Sequence, residues 1–495
     1  MENVKTTGAV FTPSFIVNLI LDNIHYDNEN ILHKKIMEPS FGDGAFLLEI
    51  VSRFISIAKQ HGEIHIETLL NTYIYGIEKE EVFVSEAKQK LNELLKKEGL
   101  LPIPWTHLYH ADTTDIYTHF VGMFDYVVGN PPYVRIHNLS ESVREKMNEM
   151  MFMKGNTDLY MAFYEMGLAM LKENGILSFI TPNSFLKNTS QANFREYLIT
   201  HSLVNSIFDF KSSKVFENAD TYTCICTLTN EEKKEMYYRE YDGHVLQMER
   251  TFSYDYLRRH GMLFIDKKTE KLWNKITLCP IKLSNKWQIQ NGVSTNLDSV
   301  YIGEAFLDKK KERRYEGCNT DEMQMVWFHG HQIESNILHR CVKESKYDGK
   351  IKEYILYPYE NGMIINENKM KERFPKAYVY LRENKEKLMK RKMDKNIPWY
   401  AFGRSQGIKS MEQEKVVFQH IVKNKITPYL LDADVVVYSG LFATGKDLEK
   451  LMQIYKSETF LKYCRIVGKP MSGGYVALSS KCLKNYGIEN CMLEK

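Results

Sequence analysis

The run Asp125-Tyr126-Val127-Val128-Gly129-Asn130-Pro131-Pro132-Tyr133 carries residue types suited to a chemistry of positioned hydrogen bonds. Two prolines fix the turn after an apolar strand, so it cannot continue as helix and its carbonyls are rigidly aimed. The Asn130 carboxamide oxygen and the Pro131 carbonyl can both accept from one amino group, drawing its nitrogen lone pair out of conjugation with a purine ring. Tyr133 offers a π-face on which that ring can stack. Catalysis of this kind is positioning and hydrogen bonding, with no covalent intermediate. A bare structural turn is the competing explanation.

Three further sites occur in order before it. Glu38-Pro39-Ser40-Phe41-Gly42-Asp43-Gly44 follows a short apolar run, and its glycines let backbone approach a ligand closely. No third glycine completes a dinucleotide fingerprint, so pyrophosphate is disfavoured. Gly76-Ile77-Glu78 ends a second run, placing a carboxylate to accept from two ribose hydroxyls. Ala111-Asp112-Thr113 ends a third, where a carboxylate can accept from an adenine amino group. Alone, the Gly-x-Gly is weak and most often a tight turn, and Glu78 reads equally well as a surface acid; in this order the three point to an adenosine-bearing cofactor.

The elements that must position these residues alternate. Strands are expected at 36–39, 73–77, 107–110, 124–129, 175–180, 204–210 and 221–228, with helices over 45–59 and 82–97. That alternation predicts a doubly wound, mostly parallel α/β sheet, whose ligands sit at the carboxyl ends of its strands. The rhythm breaks after Asn230. We therefore expect a catalytic domain over 1–230, a charged connecting region over 231–283, helical where it begins, and a separate α+β domain over 284–495.

With 495 residues the chain exceeds what one core serves. Residues 1–230 hold 19 Lys and Arg against 28 Asp and Glu, while the remainder holds 47 against 35. An acidic half joined to a basic half fits one that does chemistry and one that meets a polyanion. The eight cysteines form no CxxC pair, which predicts no zinc site and a reducing, cytoplasmic setting. The amino terminus has no apolar signal core, and charges interrupt every apolar run, so no membrane partner is expected.

In its motifs and their order the sequence resembles the γ-class, TaqI-type adenine-N6 DNA methyltransferases of type II restriction–modification systems. The resemblance runs from Thr7 to about Thr229 and continues more weakly to the carboxyl terminus. It implies S-adenosylmethionine as cofactor. Thr12, in Thr7-Gly8-Ala9-Val10-Phe11-Thr12-Pro13, would then hold the methionine carboxylate; Glu38, with Ser40 and Gly42 beside it, would face the amino end. Glu78 would take the ribose, Asp112 the adenine, and Phe163, in Gly155-Asn156-Thr157-Asp158-Leu159-Tyr160-Met161-Ala162-Phe163, would pack on that adenine. Asn130 and Pro132 would border the same ligand. Phe216, in Lys214-Val215-Phe216-Glu217-Asn218-Ala219-Asp220-Thr221, would cover the second face of a flipped adenine, sandwiching it against Tyr133.

In the basic half, Gln290-Asn291-Gly292-Val293-Ser294-Thr295-Asn296-Leu297, Tyr378-Val379-Tyr380-Leu381, Trp399 to Gln406 and Ser472-Gly473-Gly474-Tyr475 resemble blocks of the family's target-recognition domain. Arg382, Lys390, Arg391 and Lys392, with Lys385, Lys387 and Lys395, are candidates to neutralise phosphates of double-stranded DNA; a solvated helix face is the alternative. Arg404 and Gln406 are candidates to read base edges. A monomer paired functionally with a separately encoded restriction endonuclease is expected. Competing readings are a fused nuclease, with Glu231-Glu232-Lys233 as its triplet, a protein or ribosomal RNA methylase, and a DNA-binding module without catalysis.

Overall fold

The computed structural model describes residues 12–153, 157–216, 221–316, 323–394, 396–404 and 406–488. Thr7 to Phe11, Gly155, Asn156, Glu217 to Asp220, Lys395 and Ser405, all named above, lie outside the described residues, as does the Ser472 side chain. The chain divides into two compact units, Met1–Asp266 and Lys267–Lys495.

In the first unit nine strands form one sheet among the described residues: β1 (Ile36–Glu38), β2 (Ile74–Glu78), β3 (Leu108–His110), β4 (Phe124–Gly129), β5 (Leu171–Pro182), β6 (Val204–Asp209), β7 (Thr223–Thr229), β8 (Glu235–Asp242) and β9 (Val245–Ser253). Their order is β3-β2-β1-β4-β5-β7-β6-β8-β9. The first five are parallel neighbours, whereas β7 runs antiparallel between β5 and β6. The sheet is therefore doubly wound and mostly parallel in its first half, as the alternation predicts. Strand order reverses between β1 and β4, which pair at Met37 and Val127; a cleft opens beyond the strand ends at such a reversal.

Successive strand residues face opposite sides, so each strand feeds two cores. Met37, Val127, Leu177 and Phe179 join one apolar cluster; Ile36, Val128 and Ile180 join the other, with Phe46, Leu47 and Ile50 of the helix Ala45–Gln60. Gly44, at φ 85°, starts that helix, and a Cβ there would lie 3.2 Å from Cβ of Ala87. At Gly76 a Cβ would lie 2.7 Å from the Phe41 ring, so this glycine admits the loop after β1 against β2.

The expected connecting region is not a linker. Residues 235–253 are the hairpin β8–β9, which extends the sheet through a parallel pairing of β8 with β6. The cause is alternation: Met236 and Tyr238 are buried, while Glu235 is exposed and Tyr237 and Arg239 are half-buried. The charges that suggested a solvated helix cover the open face of a strand. The boundary between units accordingly falls at 266/267, past Asn230 and before residue 284.

The second unit is α+β. One sheet joins Trp287–Asn291, Leu441–Gly445, Lys415–Phe418 and Tyr429–Leu431; another joins Ile302–Gly303, Glu353–Leu356, Leu338–Val342 and Val436–Val437. Buried Glu334 accepts from the amides of Lys376 and Ala377 at 2.9 Å each, capping the helix Pro375–Glu383. Among the described residues no helix is long and apolar enough to cross a membrane, and no group of three or more His, Cys, Asp or Glu could hold a metal ion.

Candidate active site

The loops leaving β1, β2, β3 and β4 enclose a cavity of about 360 Å³ in the first unit. Thr12, Glu38, Ser40, Gly42, Glu78, Asp112, Asn130, Pro132 and Phe163 all line it. Strand ends place four of these: Glu38 closes β1, Glu78 closes β2, and Asp112 and Asn130 follow β3 and β4.

Glu38 is 2% exposed, and its Oε2 has no hydrogen-bond partner among the described residues. Burial, reinforced by the neighbouring Asp43 and Glu78 carboxylates, pushes its carboxyl well above the usual range. A cationic ligand group here would compensate both the buried acceptor and the charge. Glu78 accepts from the Gly42 amide through Oε2 and from the Glu80 amide through Oε1, at 2.9 Å each. Its two oxygens, held apart in this way, retain lone pairs for a vicinal diol. Asp112 accepts from the Thr114 amide and hydroxyl through Oδ1, and Lys79 Nζ stands 3.1 Å from Oδ2. Burial raises the Asp112 carboxyl, but those hydrogen bonds and the Lys79 ammonium hold it below its ordinary value. Phe41, Phe83 and Phe163 add apolar walls. A ligand bearing a cation, a ribose diol and a flat ring fits this set of groups.

At the mouth, Asn130 Nδ2 donates to Thr12 Oγ1 at 3.1 Å, which fixes the plane of the carboxamide and leaves Oδ1 as its acceptor end. Thr12 therefore touches the Asn130 turn as well as the cavity. Tyr133 donates its hydroxyl to the Ile180 carbonyl at 3.0 Å, anchoring a half-buried ring. Pro131 is buried behind the turn.

Phe216 departs from its expected role as a facing plate. Its ring is 2% exposed, within the cluster that holds Phe208 and Phe210, and meets Tyr133 at 6.4 Å with planes inclined by 72°. Edge-to-face contact satisfies the ring quadrupoles, but a base sandwich needs two faces. In this arrangement Phe216 presents no face parallel to the Tyr133 ring. Asp209, which sequence reading missed, holds the segment leading to it: Oδ1 accepts from Lys211 N at 2.8 Å and from Asn183 Nδ2 at 2.9 Å. Also missed were Lys79, which pairs with Asp112, and Phe83 on the cavity wall.

In the second unit the candidates separate. Arg382, Lys390 and Lys392 are exposed. Arg391 is not available to phosphate: its guanidinium donates to the carbonyls of Thr295, Leu388, Trp399 and Ala401 at 2.6 to 3.0 Å and lies over the Tyr301 ring. Buried carbonyls, which need donors, have claimed it. Arg404 and Gln406 line a separate polar cleft of about 540 Å³.

Residues 48–216 match the family described as Eco57I restriction-modification methylase. Over 230 residues the chain is 31% identical to the type II methyltransferase M.BstVI of Geobacillus stearothermophilus, covering 43% of this chain and 40% of that protein. Over 205 residues it is 32% identical to M.PaeR7I of Pseudomonas aeruginosa, covering 37% and 33%. Its relatives are type II restriction–modification methylases. The Escherichia coli restriction enzyme and methyltransferase RM.Eco57I matches over 334 residues at 25% identity, 61% of this chain and 33% of that one. The chain thus spans less than half the length of these methylase relatives. Among solved structures, the type IIL restriction-modification enzyme MmeI in complex with DNA shares the fold over 97% of this chain and 68% of its own, with TM-score 0.63 and 14% identity. The DrdV–DNA complex follows at TM-score 0.54, with 11% identity over 89% of this chain and 49% of its own. The methylase match covers strands β2 to β6 and the Asn-Pro-Pro-Tyr turn, and it agrees with the family resemblance and the fold read from the sequence.

Proposed function

We propose that this chain is a site-specific DNA methyltransferase that modifies N6 of an adenine flipped from duplex DNA, with S-adenosylmethionine as cofactor. The observation that carries the reading is the placement of Asn130 at the end of β4, beside Glu38 across the sheet's reversal and on the wall of the cavity. Glu38 binds the cofactor's ammonium, Glu78 its ribose hydroxyls, and Asp112 and Phe163 its adenine. S-adenosylmethionine supplies, when bound, an electrophilic methyl group on a sulfonium. Asn130 Oδ1 and the Pro131 carbonyl accept the two hydrogens of the target amine and orient its lone pair toward the cavity. Tyr133, anchored by its hydroxyl, stacks on the base, and Phe216 turns to cover the other face. Stacking at roughly 1–3 kcal/mol offsets an extrusion cost on the order of a few kcal/mol.

Arg382, Lys390 and Lys392 neutralise DNA phosphates. The chain acts as a monomer in the cytoplasm, as the modification partner of a separately encoded restriction endonuclease. Glu231 and Lys233 pair with each other at 2.5 Å on the surface, an arrangement that disfavours a nuclease triplet there. Purified protein with tritiated cofactor, offered duplex DNA, ribosomal RNA and a release factor side by side, tests the reading. Label in DNA, recovered as N6-methyladenosine's deoxy form after digestion, is the expected result. Label in protein or RNA alone, or magnesium-dependent cleavage without methylation, refutes it.

A further inference from the structure

In the second unit, three strand ends converge on the polar cleft that holds Arg404 and Gln406. Glu344 follows the strand Leu338–Val342, His420 follows Lys415–Phe418, and Gly440 precedes Leu441–Gly445. The Glu344 side chain is 1% exposed, and His420 Nδ1 lies 2.6 Å from its Oε1. The His420 ring is 37% exposed and lines the cleft; its Nε2 has no protein partner among the described residues. Gly440, at φ 84°, makes room for this pair, since a Cβ there would lie 2.8 Å from Cγ of Glu344. A buried carboxylate aiming a histidine out of an otherwise loop-built wall is more than core packing requires.

The carboxylate also sets the tautomer. With Nδ1–H donating to Glu344, the neutral imidazole presents Nε2 as a hydrogen-bond acceptor. Arg404 and Lys343, on the same cleft, supply donors. Arg404 is fixed at its backbone, where its amide donates to the Ser294 carbonyl at 3.2 Å. Donors and an acceptor side by side match one base pair in the major groove: guanine shows N7 and O6 acceptors, and its cytosine shows an N4 amino donor.

We infer that this cleft reads a G·C pair of the target site, with Arg404 on guanine and His420 Nε2 accepting from cytosine N4, and with Glu344 as the positioning residue. The inference rests on the proposed action on DNA. The full chain and its variants are offered a random-sequence duplex library, bound duplexes are sequenced, and methylation of the selected duplex is assayed separately. Wild type should select one motif. His420→Ala and Arg404→Ala should each lose discrimination at the same G·C position by about ten- to a hundredfold, the loss one base-edge contact carries. Glu344→Ala should reproduce His420→Ala, whereas Glu344→Gln, whose amide oxygen still accepts from Nδ1–H, should restore the preference; a merely structural Glu344 would lower thermal stability without altering base choice. Selection of no motif by wild type, or undiminished G·C discrimination by His420→Ala, overturns the inference. Because selection needs no methyl transfer, a wild type that selects a motif but methylates nothing refutes the proposed function and leaves the inference standing.

Discussion

Two of the cavities among the described residues differ in the balance of charge that lines them. The first gathers Glu38, Asp43, Glu78 and Asp112, with Lys79, at and just past the ends of parallel strands; the second gathers Lys343 and Arg404, with the His420 imidazole and Asp298, on loops beside short strands. Carboxylates clustered in a part-enclosed space repel one another, a cost that a cationic ligand relieves. Cations on an open surface repel little and draw a polyanion from a distance. The contrast teaches that the first site is specific through what it must neutralise, and the second through which donors and acceptors it can hold still.

Asn130→Ala should lower single-turnover methyl transfer by about 10²–10³-fold, the usual loss on removing one preorganised hydrogen-bonding group, while duplex affinity by fluorescence anisotropy stays close to wild type. Equal losses in both would place Asn130 in binding instead. If Glu78 holds the ribose as proposed, Glu78→Ala should weaken cofactor binding by about a hundredfold in calorimetry, because it removes the diol's acceptors and frees the Gly42 and Glu80 amides; DNA binding should persist.

Arg391 and Lys392, adjacent in the chain, should behave differently when removed. Arg391→Ala leaves four carbonyls short of a donor and should destabilise the second unit by about 2–3 kcal/mol in thermal or urea unfolding. Lys392→Ala should leave stability unchanged and reduce the salt slope of DNA binding by about one. If Arg391→Ala changed only the salt slope, the clamp assignment would fail. The smallest effect concerns pH. The Glu38 carboxyl is raised, and an ammonium bound beside it, as proposed, would favour its ionised form, so binding should release a proton and affinity should rise as pH climbs toward the raised value. Calorimetry in two buffers of different ionisation enthalpy should show this release, and Glu38→Gln should abolish it.

Much of the first site was legible because one rule governs it: in a βαβ sheet, polar residues just past apolar runs fall together. Glu38, Glu78, Asp112 and Asn130 needed only that rule. Phe216 was not legible in the same way, since a sequence gives a ring's position along the chain but not its tilt. The hairpin at 235–253 was hidden because Met236 and Tyr238 alternate over too few residues to outweigh the surrounding charge. In the second unit strands of two to five residues pair across long separations, as Trp287 does with Gly445, so local pattern says little. Arg391 looked like its basic neighbours, and only distant carbonyls set it apart.

The Arg391 clamp also bears on how the chain is made. Its guanidinium binds the Thr295 carbonyl, 96 residues earlier. At synthesis rates of roughly 5–20 residues per second, that carbonyl is made some 5–20 s before its donor exists. The first unit can close within that interval, while the second stays unfinished until the ribosome has moved well past its basic segment.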